Sequence, residues 1–197
     1  MLIRSTDFGL LVALFVFVCC VVVDAGEREK VFNGKNLDGW TVSRCEAVVE
    51  DGVLLLKEGN GLVYLEGPHG DFAFEFKWKA RNPEMWDSGV YFRCDAPPEE
   101  GKRPWPQRYQ VNLRKGMEGW VNKLPDARCK DLAKPGEWNE MKLTCIGSKA
   151  KLEFNGKLAW EAEGLEQEQG IIALQAETPG GGQFEFKDIY VTKLDKK

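Results

Sequence analysis

The sequence predicts an all-β fold, a two-sheet sandwich of jelly-roll type. Apolar residues recur with period two through most of the chain after Glu50. No segment carries a convincing amphipathic-helix pattern, and 21 glycines with frequent turn signals divide the chain into many short strands.

The amino terminus stands apart from this pattern. Arg4 supplies a positive charge, residues 9–23 are uncharged and nearly all apolar, and Val23-Asp24-Ala25 places acceptable residues before a cleavage point at Gly26. The apolar run is shorter than the roughly 18–20 residues that a membrane-spanning helix needs. Residues 1–25 therefore read as a signal peptide, ranked above an uncleaved anchor and above a lipoprotein signal at Cys19-Cys20, which Val18 fits poorly. The expectation is one β-sandwich domain over residues 26–197, secreted or periplasmic, with no membrane contact after cleavage.

The strands follow in order. Residues 52–57 and 61–66 are short β-rich runs split by Glu58-Gly59-Asn60. In residues 71–79 (DFAFEFKWK), Phe72, Phe74, Phe76 and Trp78 share one face and Ala73, Glu75, Lys77 and Lys79 the other, which marks a half-buried antiparallel strand. In residues 88–94, Val90, Phe92 and Cys94 take one face, and Gly89, Tyr91 and Arg93 the other. Residues 109–113 and 119–121 are two further candidates. Met141, Leu143 and Cys145 point one way, Gly147-Ser148 turns the chain, and Leu152 and Phe154 lead into Asn155-Gly156, the strongest short hairpin signal. Residues 158–162 return, and residues 170–176 form a mostly apolar strand suited to a sheet centre. Phe184 and Phe186 are out of step with Ile189 and Val191, which predicts a bulge near Lys187-Asp188. The loops over residues 95–106 and 124–136 are long enough to be functional.

A net charge of −4 without a basic run makes nucleic acid a poor partner. Four cysteines follow the leader: Cys45, Cys94, Cys129 and Cys145. Export favours disulfides, with three possible full pairings, while the inward alternation of Cys94 and Cys145 favours buried thiols; both readings stay open. No nucleophile elbow, zinc-protease motif, phosphate loop or dinucleotide fingerprint is present. His69, the only histidine, sits in a Gly67-Pro68-His69-Gly70 turn and reads as a solvated turn residue, so no metal site and no cofactor are expected.

Some polar side chains can converge on one face. Arg93 and Tyr91 alternate with Val90 and Phe92, Gln110 and Asn112 share a face of the next strand, and Gln175 and Glu177 end a third. An Arg, amides and a carboxylate suit a hydroxyl-rich ligand, since each sugar hydroxyl both donates and accepts. Trp86, Trp105 and Trp120 lie in or beside the loops, where such rings can stack on sugar faces. The competing reading is an Arg93–Glu177 ion pair on a solvated face, with the Trp side chains packing loops down.

Several blocks also match a known family in order. Residues 31–40 (VFNGKNLDGW) resemble F-N-G-K-x-L-x-G-W, residues 87–93 (DSGVYFR) resemble N-S-G-[IV]-[FY]-x-R, and residues 136–145 (GEWNEMKLTC) resemble G-E-W-N-x-x-x-I-x-C. Residues 71–78 resemble the family's first long strand, 154–157 (FNGK) its L-N-G hairpin, and 172–175 (IALQ) and 184–191 (FEFKDIYV) its closing strands. The chain thus resembles the 3-keto-disaccharide hydrolase family over its whole expected mature length.

The resemblance implies a concanavalin-A-like jelly roll, export, and a carbohydrate ligand oxidised to a ketone at C3. A C3 ketone acidifies the C2 proton. Base removal of that proton, expulsion of the C1 substituent and addition of water would sum to hydrolysis. On that basis Glu177 is the expected base and Arg93 the group that stabilises the enolate or orients the ring. Tyr91, Gln110, Asn112 and Gln175 would hold the sugar, with Trp86, Trp105 and Trp120 against it. Two departures stand out. Many relatives read Y-E-V-Q where this chain has Tyr109-Gln110-Val111-Asn112, and L-Q-x-H-G where it has Leu174-Gln175-Ala176-Glu177-Thr178. The rival expectation is therefore a non-catalytic carbohydrate-binding or cell-surface adhesion domain on the same fold.

Overall fold

A computed structural model describes residues 24–95, 97–98 and 101–195. The strands are β1 (Asp24–Lys30), β2 (Trp40–Glu50), β3 (Val53–His69), β4 (Phe72–Ala80), β5 (Gly89–Cys94), β6 (Gln110–Asn112), β7 (Asn139–Ile146), β8 (Lys149–Phe154), β9 (Lys157–Glu163), β10 (Gly170–Thr178) and β11 (Phe184–Asp195). They hydrogen-bond in the order β6-β5-β10-β3-β11-β4-β7-β8-β9, with β1 on β11 and β2 on β3, and every pair is antiparallel. No helix occurs among the described residues.

Strand β3 makes this one continuous sheet. Its first part, Leu54–Leu56, pairs with β11, and residues 59–69 pair with β10. The sheet curls so that its two halves face each other. Val90, Val111 and Leu174 from one half and Phe74, Leu143 and Leu152 from the other enter one core. The expected break at Glu58–Asn60 is an irregularity within β3, where the register against β2 shifts. Gly61 is needed there, because a Cβ would sit 2.0 Å from the Ser43 carbonyl oxygen.

The alternation of β4 is borne out: Phe72, Phe74, Phe76 and Trp78 are buried. Asn155 and Gly156, at φ 48° and 75°, form the two-residue turn between β8 and β9. The expected bulge lies in β11 between Lys187 and Tyr190, with Asp188 at φ 51°. The candidate strand at 119–121 reduces to a single bridge between Val121 and Val111.

Strand β5 departs from simple alternation. Cys94 pairs with Ile171 and Tyr91 with Ala173, so Phe92 and Arg93 together stand opposite Ile172. Arg93 takes φ 45° at this bulge. The extra residue reverses the faces beyond it. Cys94 therefore packs beside Tyr91 in a second, smaller apolar cluster outside the main core, contrary to the alternation read from sequence.

The four described cysteines are free thiols. Burial pushes the Cys94 and Cys145 thiols up to about 12. The expected leader lies outside the described residues up to Val23, while β1 already pairs Asp24 with Asp195 and Ala25 with Leu194. No described helix is long and apolar enough to cross a membrane.

Candidate functional site on the outer face of β10

Strand β10 sends Ile172, Leu174 and Ala176 into the core and alternates Ala173, Gln175 and Glu177 to the opposite face. Register places Leu62 and Tyr64 of β3 beside them on one flank, and Gly89 and Tyr91 of β5 on the other. Gln110 pairs with Tyr91, and Asn112 with Gly89, so β6 extends the same face.

Three side chains on this face form a relay. Gln110 Nε2 donates to Gln175 Oε1, and Gln175 Nε2 donates to Glu177 Oε2 at 2.6 Å. Gly89 makes the first link possible: a Cβ there would lie 2.1 Å from Gln110 Nε2. Gln175 is only 3% exposed, and its own carbonyl accepts a 2.7 Å bond from Ser88 Oγ. Glu177 is half-buried at the open end of the relay. Burial raises its pKa, the negative charge of Asp87 raises it further, and Arg114 partly opposes them.

Asp87 and Arg114 were not singled out by the sequence reading. Arg114 Nε lies 3.6 Å from Asp87 Oδ2, and burial raises the Asp87 carboxyl while Arg114 lowers it. Strand parity was the available signal. Asp87 stands two residues before Gly89 and four before Tyr91, and Arg114 two after Asn112. Asn112 Oδ1 in turn accepts a 2.6 Å bond from the Arg114 backbone N–H.

Tyr91 forms the floor. It is 3% exposed, and burial raises its phenol pKa. Trp105 packs on the Leu62–Tyr91–Ala173 cluster and donates from Nε1 to the Ala176 carbonyl at 3.2 Å. Its loop is tied across β2 by a 3.1 Å bond from Arg44 Nη1 to the Lys102 carbonyl.

Three expected members do not join this group. Arg93 is 0% exposed and points to the far end of the sandwich. It donates to the carbonyls of Gly70 (3.0 Å), Gly147 (2.5 Å) and Gln167 (3.2 Å) and to Asp71 Oδ1 (2.8 Å). The bulge that inverted Cys94 also turned Arg93 away from Glu177, so the expected enolate role and the alternative Arg93–Glu177 ion pair are both corrected. Trp86 is 4% exposed and belongs to the core, with Lys115 Nζ 5.1 Å from its ring. Trp120 donates to the Cys129 carbonyl at 2.7 Å and lies under the Arg128 guanidinium, 5.1 Å from its ring, so it anchors its own loop. His69 is half-buried at the end of β3, with Nε2 3.1 Å from the Glu66 carbonyl oxygen. Among the described residues no three His, Cys, Asp or Glu side chains cluster as a metal ion would require.

The profile of the 3-keto-α-glucoside-1,2-lyase-like domain matches residues 27–192. The chain belongs to this family. No curated protein shows significant sequence similarity to it. Solved structures share the fold. A protein from Parabacteroides distasonis ATCC 8503, named as a candidate glycosyl hydrolase, superposes with a TM-score of 0.65 at 21% identity, covering 85% of this chain and 94% of that one. The carbohydrate-binding module CBM66 from Bacillus subtilis gives 0.59 at 16% identity, over 77% and 93% of the two chains. A Bacillus subtilis protein with a galectin-like fold gives 0.62 at 13% identity, over 89% and 100%. These likenesses confirm the sandwich class predicted from sequence.

Proposed function

We propose that this domain, exported behind the leader read at residues 1–25, cleaves 3-keto-glucosides by base-catalysed elimination on the β10 face. The observation that carries this reading is the Gln110–Gln175–Glu177 relay, which holds a half-buried carboxylate of raised pKa at its end on the β10 face. A raised pKa makes Glu177 a stronger base once ionised.

Glu177 takes the proton from C2. The C2 electrons form the C1=C2 double bond, conjugated with the C3 ketone, as the C1–O bond breaks and its electron pair leaves with the aglycone oxygen. Water then adds its oxygen to C1, and Glu177 returns a proton to C2. Charge builds on the C3 oxygen in between. Tyr91 takes over the role once expected of Arg93: its phenol, whose pKa burial raises, stays protonated and donates to that oxygen. Gln175 holds Glu177 in place, Asn112 and Gln110 offer hydroxyl contacts, and Trp105 presents its ring beside Tyr91.

A second reading rests on Gln110, an amide that cannot titrate. A face of three amides and a tyrosine is also what a carbohydrate-binding module would present. Aglycone release from 3-keto-glucosides and from their unoxidised parents separates the two. Release from the keto substrate alone is the expected result. Equal release from both removes the elimination mechanism, and binding without turnover favours the module.

A further inference from the structure

We infer that Asp87 is a second carboxyl of this site, the acid that protonates the departing aglycone oxygen. The inference rests on the elimination reading above and names the proton donor that it lacks.

The backbone sets the two residues on either side of one short segment, Gly181–Gly182. Leu174 pairs with Val90, and beyond that pair Glu177 and Asp87, each three residues on, flank the Gly181–Gly182 segment. Gly181 stitches them together: its N–H donates to the Glu177 carbonyl, and its carbonyl accepts from the Asp87 N–H at 2.9 Å. No larger residue fits at this stitch, since a Cβ on Gly181 would lie 2.0 Å from the Asp87 carbonyl oxygen. Parity puts the Asp87 side chain on the face of Gly89 and Tyr91, and Arg114 holds it from the β6 side at 3.6 Å.

Two carboxyls whose charges repel are most stable holding one proton between them, which leaves one ionised as base and one protonated as acid.

The cycle balances. Asp87 gives its proton to the aglycone oxygen as the C1–O bond breaks, while Glu177 holds the proton from C2. On rehydration Asp87 takes a proton from the attacking water and Glu177 returns its own to C2. Both carboxyls then stand as they began, and one water has been consumed.

The test compares the 3-keto-glucosides of methanol, a poor leaving group, and of 4-nitrophenol, a good one that leaves without a proton. Asp87→Asn is expected to slow methanol release by about 10²-fold or more, as loss of a general acid does. The 4-nitrophenol substrate should lose at least about tenfold less, the acid being needed only for the poor leaving group. Exchange of the C2 proton with deuterated water, followed by NMR, should persist. Asp87→Ser, a smaller polar replacement, must show the same split, and thermal melting confirms that each variant is folded. An equal fall on both substrates, or none on either, overturns the acid role of Asp87 while leaving Glu177 as base. A wild-type protein that neither exchanges the C2 proton nor releases either aglycone overturns the elimination reading and this inference with it.

Discussion

Arg93 Nη2 lies 2.8 Å from Asp71 Oδ1, and this ion pair fastens the bulge of β5 in one half of the sheet to the start of β4 in the other. Asp71 Oδ1 also accepts the Gly147 N–H at 2.8 Å, and Arg93 satisfies three backbone carbonyls around it. A fully buried guanidinium is tolerable only because charge and donors are matched on every side.

Removing Arg93 should therefore unfold rather than merely inactivate. Arg93→Ala removes the counter-charge of Asp71 and the donor to three buried carbonyls, and a loss of about 3–5 kcal/mol is expected. Arg93→Lys restores the charge but not the planar fork, so it should recover only part of that loss. Urea denaturation of both variants checks this. A stable, folded Arg93→Ala protein with lowered turnover would return Arg93 to the site.

Glu177 should trade stability against activity. Its folded pKa is raised, chiefly by burial, so the fold favours the protonated carboxyl. That contribution is fully present below the ordinary carboxylate pKa and is lost as pH rises through the higher folded value. Glu177→Gln should thus melt no lower than wild type at pH 7 and lack the gain that wild type shows on acidification toward the carboxylate range. Its kcat should fall by about 10²–10⁴-fold. Melting curves across pH, set beside turnover of a 3-keto substrate, test both halves.

Gly89 has no room for a Cβ because the Gln110 side chain lies over it. Gly89→Ala should push the Gln110 amide off Gln175 and cost about 1–3 kcal/mol, the usual range for overpacking. With the relay broken, the Glu177 side chain loses its fixed orientation and kcat should drop while the protein stays folded. A Gly89→Ala variant with unchanged kcat would show that the relay does not orient the base.

Gly156 tests the turn chemistry alone. It sits at φ 75° with open space around it, so Gly156→Val costs backbone strain and nothing else. A loss of about 1–2 kcal/mol is expected from the left-handed conformation. Chemical denaturation measures it, with turnover as the control, since this turn belongs to the β8–β9 hairpin and not to the β10 face.

Local pattern determined much of this protein. The period of β4, the Asn155-Gly156 turn and the slip from Phe186 to Ile189 each follow from neighbours in sequence, because side-chain direction and φ preference are local properties. The pairing of Gln175 with Glu177 on one face was legible for the same reason, as was that of Gln110 with Asn112. Tertiary structure decided the rest. One extra residue at Phe92-Arg93 inverted everything after it, which sent Arg93 to Asp71 and Cys94 to Tyr91. Alternation along one strand cannot announce a bulge that turns Arg93 to a partner 22 residues away, just ahead of another strand. Trp86 was drawn into the core although it lies just outside a strand, and Asp87 and Glu177 were brought to either side of the Gly181–Gly182 segment. These are contacts between segments far apart in the chain, and they exist only once the sheet has curled and its two halves have met.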